Sequence, residues 1–435
     1  MDKRSWKVFS STPDAPWQLL GAERLGGVPG EDVLVIDLER TRQTIEGWGG
    51  CFNELGWQAL SCLDEGARTE IMGGLFGPEG CNFDYCRMPI GASDYALDYY
   101  SLNDTDGDYA MENFSLERDR RWLIPFIRKA MESQPRLRVW GSPWTPPAWM
   151  KTNRQYHKGE LRWEEPVLKA YALYFEKYVK AYRAEGIDIR AIHVQNEPFH
   201  LPDFPSCGWT GEHMRDFIRD YLGPRFALSG LDQEIWLGTI NGPGDPDVPW
   251  RFIDTVLRDV QAASMIAGVG FQWFGMPAVD PTVAKYPGKK IMQTEAKCGD
   301  GSNDWAYAME TARDMIYYFN HGATAFMQWN MVLDHTGNST WGWKQSTMVT
   351  VDTEQSSYRY NPQFCLVKHF SNTVKSGAKS VFLESDACCA FMNPDGSTVV
   401  FLMNAESYDK VFTLQVGEII KSIVLPANSF NTVCL

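Results

Sequence analysis

The sequence predicts a (β/α)₈ barrel with an accessory β-sandwich, and three observations predict it. From Gln43 to about Asp352, short apolar runs alternate with amphipathic segments at helical spacing, the rhythm of a parallel α/β architecture. Beyond that point the pattern changes to alternating strands separated by tight turns. Several apolar runs also end abruptly in polar residues, as barrel strands do when they deliver side chains to a mouth at their carboxyl ends.

Residues 1–43 carry turn signals at Gly21, Gly26, Gly27 and Pro29, then the strand-like EDVLVIDLE. With no partner of its own, this segment is expected to join the carboxyl-terminal strands. Residues 44–351 supply the barrel. Its first strand spans 44–51 and is followed by the helices ELGWQALSCL and ARTEIMGGLF. The second strand covers 83–90, and a loop rich in Asp and Tyr leads to a helix over 117–132. The third, 137–140, ends in SPWTPPAWMK, and 164–185 is a helix with apolar residues on one face. Strand four is 189–195 and helix 212–226 follows it. Strand 234–240, helix 249–262, strand 266–273, a connector at 279–285 and strand 290–294 continue the alternation. Helix 306–320 leads to the eighth strand, 324–329. Eight strands joined right-handedly through helices close into a barrel. Residues 352–435 read as SVFLES, CCAFMN, STVVFLMN, VFTLQV, SIVLP and FNTVCL, with a hairpin turn at Pro394-Asp395-Gly396 where Gly396 can take a positive φ. Together with residues 1–43 they predict the sandwich.

Composition bounds the function. The 435 residues suffice for one large domain and a smaller one, and 44% hydrophobic with 22% charged residues is ordinary for a globular protein. A net charge of −14 without a basic block repels nucleic acid and anionic membranes, so neither is expected as a partner. No stretch approaches the ~20 apolar residues of a membrane span. The amino terminus MDKRSWKVFS lacks a secretory h-region, so the expected location is the cytoplasm, or outside the cell if a leader has been removed. Ten cysteines without a C-x-x-C pattern read as reduced, mostly buried thiols. Seventeen Trp, 18 Tyr and 23 Phe are many, and aromatic faces pack well against the C–H faces of sugars.

The stretch AIHVQNEPFH ends a buried strand in Gln195, Asn196, Glu197 and Pro198, and KKIMQTEAK ends another in Glu295. Two carboxyl groups from two strand ends are what glycoside hydrolysis uses, roughly 5–5.5 Å apart in retaining enzymes. Glu197 is read as acid/base, with Asn196 beside it for a sugar hydroxyl. Glu295 is then the nucleophile, kept ionised by a cation for which Arg87 is preferred. The other strand ends place Asn53, Glu54, Asp94, Trp144, Trp273, Trp329, Asn330 and Asp334 at the same mouth.

The stretches GWGGCFNELGW, RMPIGASDY, GSPWTPPAWMKTN, VQNEP, QTEAK and QWNMVLD, in this order, resemble glycoside hydrolase family 30, the glucosylceramidase-like retaining β-glycosidases. NPDGSTVVFLMN and LPANSFNTV resemble that family's side sandwich. The resemblance implies acid/base at Glu197, nucleophile at Glu295, and a terminal-sugar pocket lined by Arg87, Asp94, Trp144, Asn196 and Trp329. It also implies a carbohydrate or glycoside substrate and no cofactor. Two departures bear on specificity: Asn53-Glu54 stands where many members have a hydroxyl residue followed by Asp, and the loop DHTGNSTWGWKQ after strand eight differs from the glucosylceramidase pattern.

Other readings weigh against these. Arg87 can be only a structural ion pair, and Trp144 and Trp329 plain packing. His157, His193, His200, His321 and His335 share no metal-ligand spacing. Asp98, Asp104, Asp106 and Asp108 lack the final Glu of a calcium loop, and Gly47, Gly49 and Gly50 lack the Lys of a phosphate loop. The expected activity is hydrolysis of a terminal β-glucoside. Alternatives are endo-β-1,6-glucanase, β-xylosidase or β-fucosidase, or a non-catalytic sugar-binding barrel. Oligomeric state is not readable from the sequence.

Overall fold

The computed structural model describes residues 6–26, 33–242, 245 and 247–435. Gly27 and Pro29, two of the expected turn residues, lie outside them. Eight parallel strands close a barrel: Gly47–Cys51, Tyr85–Pro89, Arg138–Ser142, Ile189–His193, Glu234–Ile240, Ile266–Gln272, Lys290–Glu295 and Ala323–Asn330. They are called barrel strands one to eight below.

The barrel lumen is packed, not hollow. Tyr85, Trp140, Trp236, Met292 and Met327 alternate with Ala191 and Ala325 in one buried cluster, so large and small side chains from neighbouring strands interdigitate. Gly268 makes room for this filling: a Cβ there would lie 2.4 Å from the Trp236 ring. His193, considered above as a metal ligand, is wedged between Trp140 and Trp236 at 4.1 and 5.1 Å between ring centres. Burial holds it neutral, well below its ordinary pKa, and it acts as a core residue.

The outer helices bury the faces their periodicity marks. Glu165–Ala184 covers the barrel with Val167, Leu168, Tyr171, Phe175, Tyr178 and Val179. Three expected helices are broken. The segment expected as 117–132 is Glu117–Arg121 and Leu123–Ser133, divided at Trp122, the 212–226 helix contains a π turn at Ile218–Leu222, and the 249–262 helix is Asp247–Leu257 and Val260–Met265, where Asp259 caps the second piece.

The expected first strand, 44–51, begins later, at Gly47, and its Thr44 belongs to a sandwich strand. Thr41–Thr44, alternately half-buried and exposed, pairs with Lys379–Val381 in the sandwich, whereas the fully buried Gly47–Cys51 enters the barrel. The amino-terminal segment does join the carboxyl-terminal strands: Lys7–Thr12 pairs antiparallel with Ser429–Cys434, and Val33–Ile36 parallel with Lys410–Val416. A seven-stranded and a three-stranded sheet enclose a core of Val8, Ile36, Val400, Leu402, Leu414 and Val433.

Between barrel and sandwich lie elements the alternating pattern did not announce. Val349–Asp352 pairs with Val332–Asp334 and with Ser357–Tyr360, and helix Pro362–Ser371 follows. The sandwich strands resume at Lys379. The buried His369 of that helix bridges Ser11 and Thr432 through its two ring nitrogens at 2.8 and 2.9 Å, which fastens the sandwich to the barrel.

Candidate active site

The carboxyl ends of the barrel strands open into a cavity of about 990 Å³. Its wall includes Asp94, Trp144, Asn196, Glu197, Trp273 and Glu295, so six of the residues expected at the mouth converge there. Arg87, expected to line the pocket, is fully buried in the second strand and lies behind the wall residues it bonds. Its Nη1 donates to Glu295 Oε2 at 2.6 Å and its Nη2 to Asn196 Oδ1 at 2.6 Å. Ser142 Oγ accepts from Nε and Nη2. The guanidinium lies 4.5 Å from the centre of the Trp144 ring and 5.2 Å from those of Trp140 and Trp329, an aromatic sleeve that favours a cation in a dry place.

The two glutamates sit in unequal surroundings. Glu295 ends its strand and receives Arg87, Gln272 Nε2 at 3.1 Å and the Cys298 thiol at 3.5 Å. Among the described residues, Glu197 receives only the neutral amide of Asn241, at 2.6 Å. Its backbone has φ +48°, a left-handed conformation that costs a non-glycine residue roughly 1–2 kcal/mol, and Thr239 O accepts its N–H at 3.0 Å. Burial pushes both carboxyls up to about 7. For Glu295 the adjacent Arg87 charge opposes this and the Glu197 charge adds to it. The ion pair therefore leaves the shared proton on Glu197 and the negative charge on Glu295.

Asp94 is a third buried carboxyl, raised well above its ordinary range by burial and then by the charges of Glu295 and Glu197. Its Oδ1 has no partner among the described residues, so a ligand hydroxyl can satisfy it. Asn196 Oδ1 faces donors from Arg87, Thr239 and Gln272, which leaves its amide NH₂ for the cavity.

Besides Arg87, three expected lining residues are placed away from the wall. Trp329 is buried one layer below the wall and stacks on Trp144 at 5.3 Å. Asn330 is fully buried because its amide is consumed by Asn53 and Gln345. Asp334 is turned into its own loop, where its carboxylate accepts from the N–H groups of Thr336 and Gly337. At the first strand end, Asn53 caps the helix beginning at Glu54, and Glu54 pairs with Arg118 at 2.8 Å instead of facing the cavity. Asn241, Gln272 and Cys298 were missed. Asn241 follows strand five and Gln272 ends strand six, so the strand-end rule that found Trp273 reaches both; for Cys298 only its spacing from Glu295 gave a hint.

Residues 45–374 match the Glycosyl hydrolase family 30 TIM-barrel domain and 377–433 the Glycosyl hydrolase family 30 beta sandwich domain. The chain is 31% identical over 402 residues to Putative glucosylceramidase 1 of Caenorhabditis elegans, across 86% of this chain and 76% of that protein. It is 26% identical to Endo-1,6-beta-D-glucanase of Neurospora crassa, across 94% and 88%. The crystal structure of SrfJ from Salmonella typhimurium superposes with a TM-score of 0.90 at 25% identity over 99% of both chains. This barrel, sandwich and carboxyl-lined cavity accordingly belong to a glycoside hydrolase of family 30.

Proposed function

We propose that this hydrolase removes a terminal β-glucosyl unit with retention, Glu197 acting as general acid and base and Glu295 as nucleophile. The observation that carries the reading is the unequal environment of two buried carboxyls in one cavity: Arg87 on Glu295, an uncharged amide on Glu197. One ionised and one protonated carboxyl is the resting state that double displacement requires.

In the first step Glu197 gives its proton to the glycosidic oxygen while a Glu295 oxygen bonds to the anomeric carbon, and the aglycone leaves as an alcohol. Esterified Glu295 no longer carries charge. Glu197, now a carboxylate, takes a proton from water as the water oxygen attacks the anomeric carbon and the ester bond to Glu295 breaks. Asp94 accepts from a sugar hydroxyl, the Asn196 amide donates to another, and Trp144 packs on the ring's C–H face.

An endo-β-1,6-glucanase is the second reading, favoured by the similarity to the Neurospora crassa enzyme over 94% of this chain. A panel of aryl β-glycosides with NMR analysis of the first-formed product tests the proposal. The β-anomer is expected, and net inversion overturns it. The preferred aryl sugar separates β-glucosidase from β-xylosidase and β-fucosidase, and internal cleavage of β-1,6-glucan identifies the endo enzyme.

A further inference from the structure

A row of aromatic rings leads out of the cavity along one side of the mouth. It begins at Phe204, which packs against the Trp144 and Trp329 cluster and lines the cavity together with Trp343. Phe204 and Trp343 lie 4.8 Å apart, Trp343 and Trp341 6.5 Å, Trp341 and Tyr99 5.3 Å, and Tyr99 and Tyr156 5.5 Å. All five are half-buried, so each keeps accessible surface. They come from the loops after strands two, three, four and eight, which makes the row a product of the whole mouth and not of one packed element.

The row is held before any ligand arrives. Trp341 and Trp343 sit on the loop after strand eight, closed by Ser339 N–H to Trp343 O at 2.8 Å and Gln345 N–H to Gly337 O at 3.0 Å. Tyr95 Oη donates to Gly337 O, Thr340 Oγ1 to Ala96 O, and Asn330 Nδ2 to Gln345 Oε1. Asn330 and Asp334, which do not reach the cavity, thus brace the loop that carries the two tryptophans. Rings fixed in advance lose little freedom on binding.

We infer that this row binds the leaving-group side of the substrate, and that the leaving group is itself a β-linked sugar chain. The inference rests on the glycosidase reading and deepens it. Continuity with the cavity supplies the direction: a terminal sugar at Glu197 and Glu295 sends its aglycone past Phe204 and Trp343. The flanks supply the chemistry. Charged groups border the outer rings, with Lys344 at the cavity and the Lys158–Asp203 pair, 2.5 Å apart, at the far end, where Tyr99 Oη donates to Asp203 O. Rings flanked at both ends by charged groups suit the C–H faces and hydroxyls of sugars; an alkyl tail gains nothing from the charges.

The test compares kcat/KM for β-1,6-linked gluco-oligosaccharides, disaccharide to hexasaccharide, with that for 4-nitrophenyl β-glucoside, which does not extend to the outer rings. In the wild type kcat/KM rises with chain length. In Trp341→Ala and in Tyr99→Ala the hexasaccharide-to-disaccharide ratio falls roughly tenfold, the size of a truncated aromatic anchor. Because it is a ratio, a loss of folded enzyme cancels. A wild type indifferent to length, or a ratio unchanged in both variants, overturns the inference. So does a gain with alkyl length across alkyl β-glucosides that the same variants abolish. Should no glucoside be hydrolysed, the glycosidase reading fails, and calorimetry with the hexasaccharide still decides the row: binding weakened by both variants supports it, and no binding to the wild type overturns it.

Discussion

The two ends of the barrel carry the two largest cavities described, and the larger is at the wrong end for chemistry. About 1160 Å³ opens at the amino ends of the strands, where the barrel meets the sandwich, against about 990 Å³ at the mouth. At the base the cations have their partners close by: Lys290 with Glu46 and Glu234, Lys289 with two backbone carbonyls. At the mouth three buried carboxyls, Asp94, Glu197 and Glu295, share one buried cation, Arg87. Volume therefore does not identify the site; charge held out of water without full compensation does.

If that imbalance is the catalytic device, neutralising it should remove activity without harming the fold. Glu295→Gln is expected to lower turnover of aryl β-glucosides on the order of 10⁴–10⁶-fold, with an unchanged circular dichroism spectrum. Undiminished turnover would refute the nucleophile assignment. Glu197→Ala comes next, with a loss of roughly 10²–10⁴-fold on alkyl glucosides and a smaller one on activated aryl glucosides. Equal losses on both leaving groups would count against an acid role.

The contrast between the ends also explains what was legible in the sequence. The barrel was, because each strand is a short apolar run of its own. So was the placement of Glu197 and Glu295, since a strand's carboxyl end delivers its residues toward the mouth, whereas Arg87 reaches them from mid-strand. Asn330 and Asp334 obey the same rule, yet tertiary hydrogen bonds turn them away, toward Gln345 in one case and the Thr336 backbone in the other. No local pattern encodes those partners. The start of the barrel was placed at Thr44 and not at Gly47 because the switch between sandwich and barrel at Ile45-Glu46 has no Gly or Pro of its own. The aromatic row was invisible for a related reason: its rings come from four separate loops.

The pH dependence sharpens the comparison. The folded Glu197 carboxyl, raised by burial to about 7, holds a proton that the unfolded chain has released above about 4.5. Its contribution to stability is full below the unfolded value and lost as pH rises through about 7. Glu197→Gln should flatten that loss and gain on the order of 1–3 kcal/mol relative to wild type at pH 8, measured by urea unfolding. A loss at pH 8 would show that Glu197 is compensated after all. If Glu197 is the acid, the same proton should set an alkaline limb of kcat/KM near 7, because the acid must enter the first step protonated.

The smallest effect is expected at the base. Lys290 Nζ joins Glu46 at 2.5 Å and Glu234 at 2.8 Å, with its side chain 37% exposed. Burial lowers its pKa, but hydrogen bonds to the two carboxylates outweigh burial and raise it. Lys290→Met leaves those carboxylates facing each other without a cation, yet water reaches them and screens the repulsion, so the loss should stay near 1 kcal/mol. In a chain of this length that lowers Tm by about 2 °C or less. Activity per folded molecule should be unchanged, since no hydrogen bond given to Glu197 or Glu295 comes from this end. A change in kcat at constant folded fraction would mean that the packed lumen of Trp236, Met292 and Met327 transmits strain from base to mouth, and the two ends would no longer be separable.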